Sequence, residues 1–448
     1  MEGEMPFHVA IVGGGLCGIT LGIALQRHNI NFTLYESRSS FTEIGAGINF
    51  GPSALRCLRL IDPSLGEKVL QLATRNPPPH EEIWSFFRYG APWGDHADGE
   101  IFHKIPSPPT GNMTLHRQEL LSLLAEEMGP GYAEFNKKLA SYSRTSSHVT
   151  INFTDNTSVT TNLLIACDGI HSKVRACMFG PDSPLSKPKY SSTGAYRALI
   201  PMDTTLSVLG ESARLSSISF GPGGYLITYP VSNGTKLNCG AWTSRCEGKE
   251  GEWPHDEWVV PNQGEQFKRD FGKFGPRAQN ILSMFDPNPD FWATHHHTHQ
   301  PESGFADGLA LLIGDAAHSM PPHQGAGASQ AIEDAYVLSE VLAHVSSVPA
   351  KVSLSEKLKA ALQSVDEIRA PRANRVHQLS HQAGEESFNF WNLKLEGEEL
   401  KEWCREKEAR LNWIWQEDME KEADEGKKIL RDKLKELEGY DELNAESG

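Results

Sequence analysis

The fold of this chain is decided by residues 8–36, HVAIVGGGLCGITLGIALQRHNINFTLYE. The apolar, β-branched run at 8–12 predicts a buried strand, and the glycines after it have the spacing G-x-G-x-x-G. A helical pattern over 19–28, a second apolar strand and an acidic residue follow. Strand, glycine turn, helix, strand and acid in this order are the complete context of a dinucleotide-binding βαβ unit.

Each key residue of this unit has a separate expected role. Gly13 makes the tight turn, Gly15 lets the backbone approach a pyrophosphate, and Gly18 lets the helix pack on the strand. Glu36 is expected to accept hydrogen bonds from an adenosine ribose. A merely tight turn between strand and helix, without a ligand, is the alternative.

Three further residues suit a nucleotide site, each with a plainer alternative. Gly47, in a second glycine-rich loop, would allow close approach to a ligand, unless the loop is an ordinary surface loop. Arg117, near the start of a helix predicted to open at Leu115, could reach a diphosphate or could simply be solvated. Asp168 lies in CDGIHSKVR, residues 167–175, which follows a predicted strand and would build a polar rim or only a turn and an N-cap.

The stretch 309–334, LALLIGDAAHSMPPHQGAGASQAIED, has a pattern of its own. It predicts a buried strand ending at Asp315, a Pro-Pro pair, a Gly-x-Gly turn and an amphipathic helix. This layout places one carboxylate at a strand's carboxyl end and free backbone N–H groups at a helix start. Such a place suits a polyhydroxyl chain and an electron-rich, partly anionic ring system.

Length and composition limit the class of protein. For 448 residues, 39% hydrophobic and 22% charged, we expect a soluble globular chain of two domains plus an appendage. The formal net charge of −16 argues against nucleic acid or an anionic membrane as the main partner. Seven cysteines without C-x-x-C spacing indicate a reduced, cytoplasmic protein. The apolar run 7–25 is broken by glycines and lacks the flanks of a signal peptide.

The region from Lys187 to about Gln300 alternates strands and turns, which predicts an inserted antiparallel sheet. Tyr225, Ile227 and Tyr229 share one strand face by the period of two, and Arg197 lies on a neighbouring predicted strand. If these faces meet a pocket, they would hold an anionic aromatic compound. Core tyrosines and a surface arginine are the alternative.

Two other segments have ambiguous patterns. His295, His297 and His299 would share a strand face, but no carboxylate or thiolate lies nearby in sequence, so we expect no metal. Residues 385–448 are charged and contain four tryptophans. They predict helices that cover the nucleotide domain or contact a second copy, so the chain would be a monomer or a homodimer.

Three motifs stand in a fixed order: G-x-G-x-x-G with its acid, C-D-G-x-x-S-x-x-R at 167–175, and G-D-A-A-H at 314–318. Together they resemble the single-component FAD-dependent aromatic hydroxylases, in particular the salicylate hydroxylase-like branch found in fungi, over residues 7–385. The resemblance implies an α/β fold, with a Rossmann-type FAD-binding domain, an inserted, mostly antiparallel substrate domain and C-terminal helices. The expected divisions are 1–75, 113–182 and 300–384 for FAD, 76–112 and 183–299 for substrate, and 385–448 for the helical segment.

The resemblance also implies residue roles. Glu36 would bind the adenosine ribose, Arg117 would lie along the FAD, and Asp315 would hold the ribityl chain. Gly327 and Ala328 would sit at the pyrimidine edge of the flavin, and the Asp168 motif would serve both FAD and the nicotinamide cofactor. No second G-x-G-x-x-G follows a strand, which disfavours two-fingerprint reductases and Baeyer–Villiger enzymes. The Trp-x-Trp-x-Ile-Pro signature of flavin halogenases is also missing.

One departure from the family bears on the substrate. Phenol-type bacterial relatives have a basic histidine four residues before a tyrosine, whereas the matching pair here is Tyr225 and Tyr229. A neutral tyrosine, with an ordinary pKa of about 10, is a poor base and a good hydrogen-bond donor. We therefore expect a phenol that arrives ionised, held by Tyr225 and Arg197. Pro322 and His323 would border this chamber, together with Tyr229.

The expected function is hydroxylation of a small phenolic compound with NAD(P)H and O2, through a flavin C4a-hydroperoxide, and the resemblance to the fungal branch suggests a role in fungal secondary metabolism. Decarboxylating and dearomatising hydroxylation stay open as variants of this reaction. A terpenoid epoxidase of the same fold is another alternative. From a different class, a flavin-binding protein without oxygenase activity would also carry these motifs.

Overall fold

The computed structural model describes residues 7–43, 47–245, 252–298, 301–348 and 351–446. The strands, labelled in chain order, are β1 His8–Val12, β2 Asn31–Tyr35, β3 Gly47–Phe50, β4 Ile83–Tyr89, β5 Ile101–Pro106, β6 Met113–His116, β7 Ala133–Glu134, β8 Leu139–Arg144, β9 Val149–Phe153, β10 Ser158–Thr161, β11 Leu163–Ala166, β12 Lys189–Pro201, β13 Ser217–Gly221, β14 Gly224–Val231, β15 Lys236–Ser244, β16 Val259–Val260, β17 Phe291–His296, β18 Ala306–Asp307 and β19 Ala310–Leu312. The α-helices are α1 Leu16–Arg27, α2 Pro52–Ile61, α3 Pro63–Leu72, α4 Arg117–Met128, α5 Lys173–Phe179, α6 Met202–Leu209, α7 Gly264–Phe271, α8 Pro276–Leu282, α9 Asp315–His318, α10 Gly327–His344, α11 Leu354–Leu393, α12 Gly397–Trp415 and α13 Met419–Glu446. Short 3-10 helices cover Gly210–Arg214 and Val345–Ser347.

The first sheet has six strands in the order β18-β19-β11-β1-β2-β7. β1 pairs in parallel with both β11 and β2, and β11 pairs in parallel with β19. Nearly all residues of these inner strands are buried, as expected for parallel strands covered on both faces. The carboxyl ends of β1, β11 and β19 therefore lie side by side, and the three sequence motifs follow them directly.

The second sheet has eight strands, in the order β16-β17-β12-β15-β14-β13-β4-β5, and is antiparallel except where β13 meets β4. Its two faces alternate along each strand. Leu226 and Ala241 face a core with the short helices α6, α7 and α8, whereas Tyr225 and Trp242 face a core with α11 and α12. The predicted antiparallel sheet is thus confirmed, and the division of the chain at the boundaries given above stays a prediction.

Several element boundaries differ from the sequence-based expectation. Leu115 lies within a strand, β6, and the helix begins only at Arg117. The short helices α6, α7 and α8 interrupt a region for which few helices were expected. The helix predicted over Asp366–Ala383 runs for 40 residues because Ser353 and Glu356 cap it earlier, through a reciprocal capping box, and because it continues past Pro371.

The C-terminal helices divide between the two sheets. α13 packs on α10 and α11 of the nucleotide-binding part, as expected for an outer helix. α12 instead covers the second sheet, with Trp415 4.8 Å from Trp84 and Trp403 6.0 Å from Phe87 between ring centroids. The expected outer helix over the nucleotide domain corresponds to α13, whereas the contact of α12 with the second sheet was not expected. A contact between two copies stays a prediction.

The histidine-rich strand β17 turns its rings into the interior. His295 stacks on Trp258 at 3.8 Å, His296 lies 2.9 Å from a ring nitrogen of His377, and His297 lies 2.7 Å from the Ser319 hydroxyl. His299 lies outside the described residues. Within the described part of the chain, no helix is long and apolar enough to cross a bilayer.

We expect the free energy of unfolding to fall as the pH drops from about 7 to about 5, because these buried histidines resist protonation. Burial lowers the pKa of His296 and His297 to about 3 and of His295 and His377 to about 4. An unfolded histidine has a pKa of about 6.5, so below that pH the unfolded chain binds more protons. Each histidine then removes up to about 1.4 kcal/mol of stability per pH unit, which urea denaturation across this range measures.

His297→Gln should reduce the dependence of the free energy of unfolding on pH, because it removes one of the buried histidines that resist protonation. His96→Gln is the matched control, since His96 is about half exposed. Equal stability at about pH 7 and about pH 5 would contradict the assignment of these four rings as neutral buried groups.

Candidate functional site

One cavity of about 400 Å³ lies where the two sheets meet. The loops of the first sheet line it with Gly15, Leu16, Cys17, Glu43, Gly47, Arg117, Cys167, Gly169, Asp315, Gly327, Ala328 and Ala331, among others. The second sheet and the C-terminal helices line it with Trp84, Phe87, Arg197, Ile218, Phe220, Tyr225, Ile227, Tyr229, Asn238, Gly240, Trp242, Ala383, Ser387, Lys407, Arg410 and Leu411, among others. The cavity thus joins the predicted nucleotide site to the predicted substrate site.

The glycines of the first motif have the surroundings that their expected roles require. Gly13 has a φ of +108°, and a Cβ atom there would overlap the carbonyl oxygen of Cys167. A Cβ atom on Gly18 would overlap the carbonyl oxygen of Gly13, so the helix can pack only with glycine. Gly15 has open space where a Cβ atom would stand. Room for a ligand therefore exists beside the helix start.

Glu36 lies against this turn. Its carboxylate accepts hydrogen bonds from the backbone N–H of Gly14 at 2.7 Å and of Arg38 at 2.7 Å. The acid is thus fixed beside the glycine loop, where a ribose would have to lie. Its contact with a ribose stays a prediction.

Asp315 follows β19 and extends its carboxylate into the cavity. It makes no hydrogen bond or ion pair with any residue in the described part of the chain, and a Cβ atom on Gly327 would lie 3.9 Å from its Oδ1. The side chain is exposed to the cavity yet far from bulk water, and this desolvation raises its pKa, against the charges of His318 and Arg117. An unpartnered acceptor at this place suits a polyhydroxyl ligand.

The turn that carries Asp315 is held by Asp334 of α10. The Asp334 carboxylate accepts from Gly314 N–H at 2.9 Å, from His318 Nε2 at 2.6 Å and from Arg369 Nε at 2.8 Å. Burial opposes its ionisation, but the His318 and Arg369 charges and these hydrogen bonds still lower the pKa of Asp334. The sequence analysis assigned no role to His318 or Asp334, although both lie within the stretch 309–334.

The motif at 167–175 clamps the same turn from the other side. Arg175 is fully buried and donates to the carbonyl oxygens of Ala316 at 3.0 Å and Ala317 at 2.5 Å. The Asp168 carboxylate accepts from the Ser172 hydroxyl at 2.6 Å and from Lys173 N–H at 2.7 Å, at the start of α5. Asp168 therefore faces its own helix, and its neighbour Gly169 borders the cavity. A contact of Asp168 with a cofactor stays a prediction.

Arg117 and Gly47 lie in the wall between the two ends of the cavity. Arg117 forms an ion pair with Glu43, with Nε and Oε2 2.6 Å apart. A Cβ atom on Gly47 would stand 2.6 Å from the Tyr229 hydroxyl, so glycine here makes room for a tyrosine ring. From the sequence, we expected glycine at position 47 to allow close approach of a ligand. The structure shows that the Tyr229 side chain also requires glycine there.

Arg197, Tyr225 and Tyr229 share the sheet face that lines the cavity. Arg197 is paired with Gly240 of β15, which is paired in turn with Ile227 of β14. Arg197 is therefore two strands away from the tyrosines, and a Cβ atom on Gly240, which lies between them, would overlap the side chains of Trp242 and Ile227. The expectation of a neighbouring strand was wrong by one strand, because β15 inserts between β12 and β14.

The charge of Arg197 acts on Tyr229 rather than on Tyr225. Burial raises the pKa of Tyr229 to about 12, and the cations Arg197 and Arg117 oppose this rise. Arg197 stacks on Trp292 at 5.1 Å and makes no hydrogen bond or ion pair with another described residue. Its guanidinium sits in the cavity, away from bulk water, which lowers its pKa. A free cation at this place is available to an anionic ligand.

Tyr225 already has a partner. Its hydroxyl lies 2.8 Å from Nδ1 of His323, in the turn after Pro322. Burial lowers the pKa of His323 to about 3 and raises that of Tyr225, so both groups are neutral and the hydroxyl donates to the ring nitrogen. A histidine thus does reach the tyrosine, but from 98 residues further along the chain, which no local pattern could reveal.

The part of the cavity lined by α12 contains residues that sequence reasoning missed. Lys407 and Arg410 of α12 face it, beside Trp84 and Phe87 of the second sheet. The available signal was the spacing of Trp403, Lys407 and Leu411, which puts a lysine on the apolar face of an amphipathic helix.

A dinucleotide with a flavin ring fits this set of residues. Gly15 leaves space for a pyrophosphate, Asp315 offers an unpartnered acceptor, and α10 begins at Gly327 with backbone N–H groups directed to the cavity. These are the positions at which the sequence predicted FAD.

Comparison with known proteins decides the family. A family model described as FAD binding domain matches residues 7–192 and 278–380. The chain belongs to this FAD-binding family. The predicted fold class and the FAD cofactor are thereby confirmed, with NAD(P)H as the usual reductant of the family.

Relatives of this FAD-binding chain include a salicylate hydroxylase of Pseudomonas putida, 32% identical over 95% of this chain and 96% of that protein. A 6-methylsalicylate 1-monooxygenase of Aspergillus terreus is also 32% identical, over 95% of this chain and 92% of that protein. A solved salicylate hydroxylase substrate complex superposes with a TM-score of 0.79 at 29% identity, over 94% of this chain and 98% of the other. The chain is an FAD-dependent monooxygenase of the aromatic hydroxylase type.

We expect Asp334→Asn to lower the free energy of unfolding by about 3 kcal/mol, because it leaves Arg369 and His318 buried beside a neutral side chain. The Asp315 turn would loosen, so the purified protein should also hold less FAD per chain. Urea denaturation and the ratio of flavin to protein absorbance measure the two effects. Glu425→Gln on exposed α13 is the matched control and should change neither. Full flavin content in Asp334→Asn would contradict this role.

Proposed function

We propose that this FAD-dependent monooxygenase hydroxylates a small phenolic compound that binds as its phenolate against Arg197. Its overall reaction consumes one O2 and one NAD(P)H with a proton, inserts one oxygen atom into an aromatic C–H bond, and releases water and NAD(P)+. Bound FAD would pass the reducing electrons to O2 and supply the electrophilic oxygen atom. The residues of this chain would bind, orient and ionise the phenol.

The observation that carries the proposal is the Arg197 cation, which has no ion-pair partner among the described residues and lines the same cavity as the predicted flavin-binding loops. A phenol has an ordinary pKa of about 10, so it is neutral at physiological pH. A cation within hydrogen-bond distance, away from bulk water, stabilises the phenolate and lowers that pKa. The ionised ring is richer in electrons at the carbons ortho and para to the oxygen, where an electrophilic oxygen attacks.

The two tyrosines would contribute differently. Tyr229 lies within the electrostatic reach of Arg197, and its neutral hydroxyl can donate to the same phenolate oxygen. Tyr225 donates to His323 and so positions the turn that borders the chamber. A direct contact of Tyr225 with substrate would require this hydrogen bond to be exchanged. We therefore rank Arg197 first, Tyr229 second and Tyr225 third in their effect on catalysis.

The first test is a panel of phenols that includes salicylate and 6-methylsalicylate, which the names of relatives suggest. We expect at least one of them to raise the rate of NAD(P)H oxidation by the flavin-loaded protein severalfold. The mass of the product distinguishes simple hydroxylation from exchange of a carboxyl group for a hydroxyl group. Oxidation that no phenol stimulates, in protein with full flavin content, would contradict the proposal and favour a terpenoid substrate or a binding role.

We expect Arg197→Met to lower kcat/KM for the preferred phenol by about 100-fold, the worth of one charge-assisted contact of about 3 kcal/mol. The group that must ionise is the bound phenol, so its pKa rises when the cation is removed. The pH at which kcat reaches half its maximum should therefore move up by about one unit or more. Steady-state kinetics from about pH 6 to about pH 10 measure both changes.

Arg214→Met is the matched control, since Arg214 is a 40% exposed arginine of the same substrate part, paired with Glu211. It should leave both the rate and the pH profile unchanged. Arg197 makes no ion pair among the described residues, so its loss should not change the flavin content. Unchanged rates in both Arg197→Met and Tyr225→Phe would show that neither residue holds the substrate.

A further inference from the structure

The part of the cavity lined by α12 contains two cations that the proposed function does not use. Lys407 and Arg410 stand one turn apart on α12, and both face the cavity. Their side chains are only 7% and 10% exposed. Cations this deeply buried are unfavourable unless opposite charge compensates them. If the neighbouring carboxylates do not compensate both cations, an anionic ligand could bind to them.

A single carboxylate serves both cations. Glu386 of α11 accepts from Arg410 through both of its oxygens, with Nη1 2.6 Å from Oε1, and Lys407 Nζ lies 3.3 Å from Oε2. Glu386 is not among the described residues that line the cavity, whereas both cations are. The negative charge therefore lies behind the two positive charges. One excess positive charge faces the cavity.

The two side chains also keep unused hydrogen-bond donors. Arg410 Nε is buried without a hydrogen-bond partner in the described part of the chain. Of the three N–H groups of Lys407, one points to Glu386, and the ammonium also lies 4.2 Å above the Trp403 ring. A buried N–H group without an acceptor is unfavourable until something satisfies it. Excess charge and free donors thus coincide at one place.

Aromatic rings shape the space in front of these cations. Trp403 packs on Phe87 and Phe220 at 6.0 Å and 5.5 Å between centroids, and both phenylalanines line the cavity. After burial and His381, the charge of Lys407 is a further cause that lowers the pKa of His323, so Lys407 lies near the turn that holds Tyr225. A flat ring bound between these walls would present one edge to Arg197 and another to α12.

We propose that Lys407 and Arg410 form an anion subsite, separate from Arg197, which binds a carboxylate substituent of the aromatic substrate on the edge of the ring that faces α12. The inference rests on the proposed function and adds to it the orientation of the ring. Lys407 would donate from an unused N–H group, and Arg410 would add its charge at the cavity wall. A carboxylate engaged by these two cations would not be the group displaced in the reaction, so it would be retained in the product.

The test compares each of the three hydroxybenzoates with its amide, which has the same shape and no charge. Quenching of tryptophan fluorescence measures the dissociation constants in the flavin-loaded protein. We expect the wild type to bind at least one acid more tightly than its amide. Lys407→Met or Arg410→Met removes the excess charge and should lower this preference by about tenfold, with little change for the amide.

Glu386→Gln should change the preference for the acid in the opposite direction. It keeps the shape of the side chain but raises the excess charge that faces the cavity, so it should increase the preference for the acid. Lys401→Met and Arg405→Met, at exposed positions of the same helix, are matched controls and should behave as the wild type. Cations that merely join α11 to α12 would give a different result, in which stability falls in all three variants and the preference stays constant.

The preferred acid should also keep its carboxylate through turnover, as the product mass reports. A preference that disappears in Arg197→Met but persists in Lys407→Met would overturn the subsite. Failure of the proposed function is distinguishable, because it is the absence of phenol-stimulated NAD(P)H oxidation in the wild type. The subsite is judged by equilibrium binding, whatever the turnover.

Discussion

The buried Asp334 carboxylate is the interaction on which the rest of the site depends. It accepts hydrogen bonds from the N–H group of Gly314, the ring of His318 and the guanidinium of Arg369. Breaking such a buried set by removing one partner costs about 3–5 kcal/mol, so the turn between β19 and α10 has little freedom. Asp315, one residue later than Gly314, makes no hydrogen bond with a described residue and lines the cavity. One carboxylate thus holds the turn and its neighbour stays available to a ligand.

The cations along the cavity differ in how far neighbouring carboxylates compensate their charge. Arg117 is matched by Glu43, whereas Arg197 has no partner among the described residues, and Lys407 and Arg410 share one carboxylate. The chain as a whole has a net charge of −16, so the cavity is cationic against the average of the protein. Such an arrangement attracts anions and holds them after desolvation, where each interaction is stronger than in water.

The sequence predicted what local patterns determine. The glycine spacing determined the turn at Gly13 because its positive φ and its contact with Cys167 admit no Cβ atom. The period of two placed Tyr225 and Tyr229 on one face, because alternation is a property of any strand. Strand order is not local, however, so the insertion of β15 between Arg197 and the tyrosines could not be derived. The contact of His323 with Tyr225 is also non-local and could not be derived. In α12, Lys407 lies on the apolar face and lines the cavity, although a lysine in a charged helix is ordinarily expected to be exposed to solvent.

The neutral pair of Tyr225 and His323 finally constrains how a bound phenol could lose its proton. His323, with a pKa lowered to about 3, is too weak a base to take a proton from a phenol of pKa about 10. The Tyr229 hydroxyl, with a pKa raised to about 12, is a weaker acid than the phenol and so stays a donor. Proton transfer to any of these groups would be uphill by several pKa units. Stabilisation of the phenolate by the charge of Arg197 needs no such transfer to these side chains, and a cation already positioned in the cavity is suited to that task.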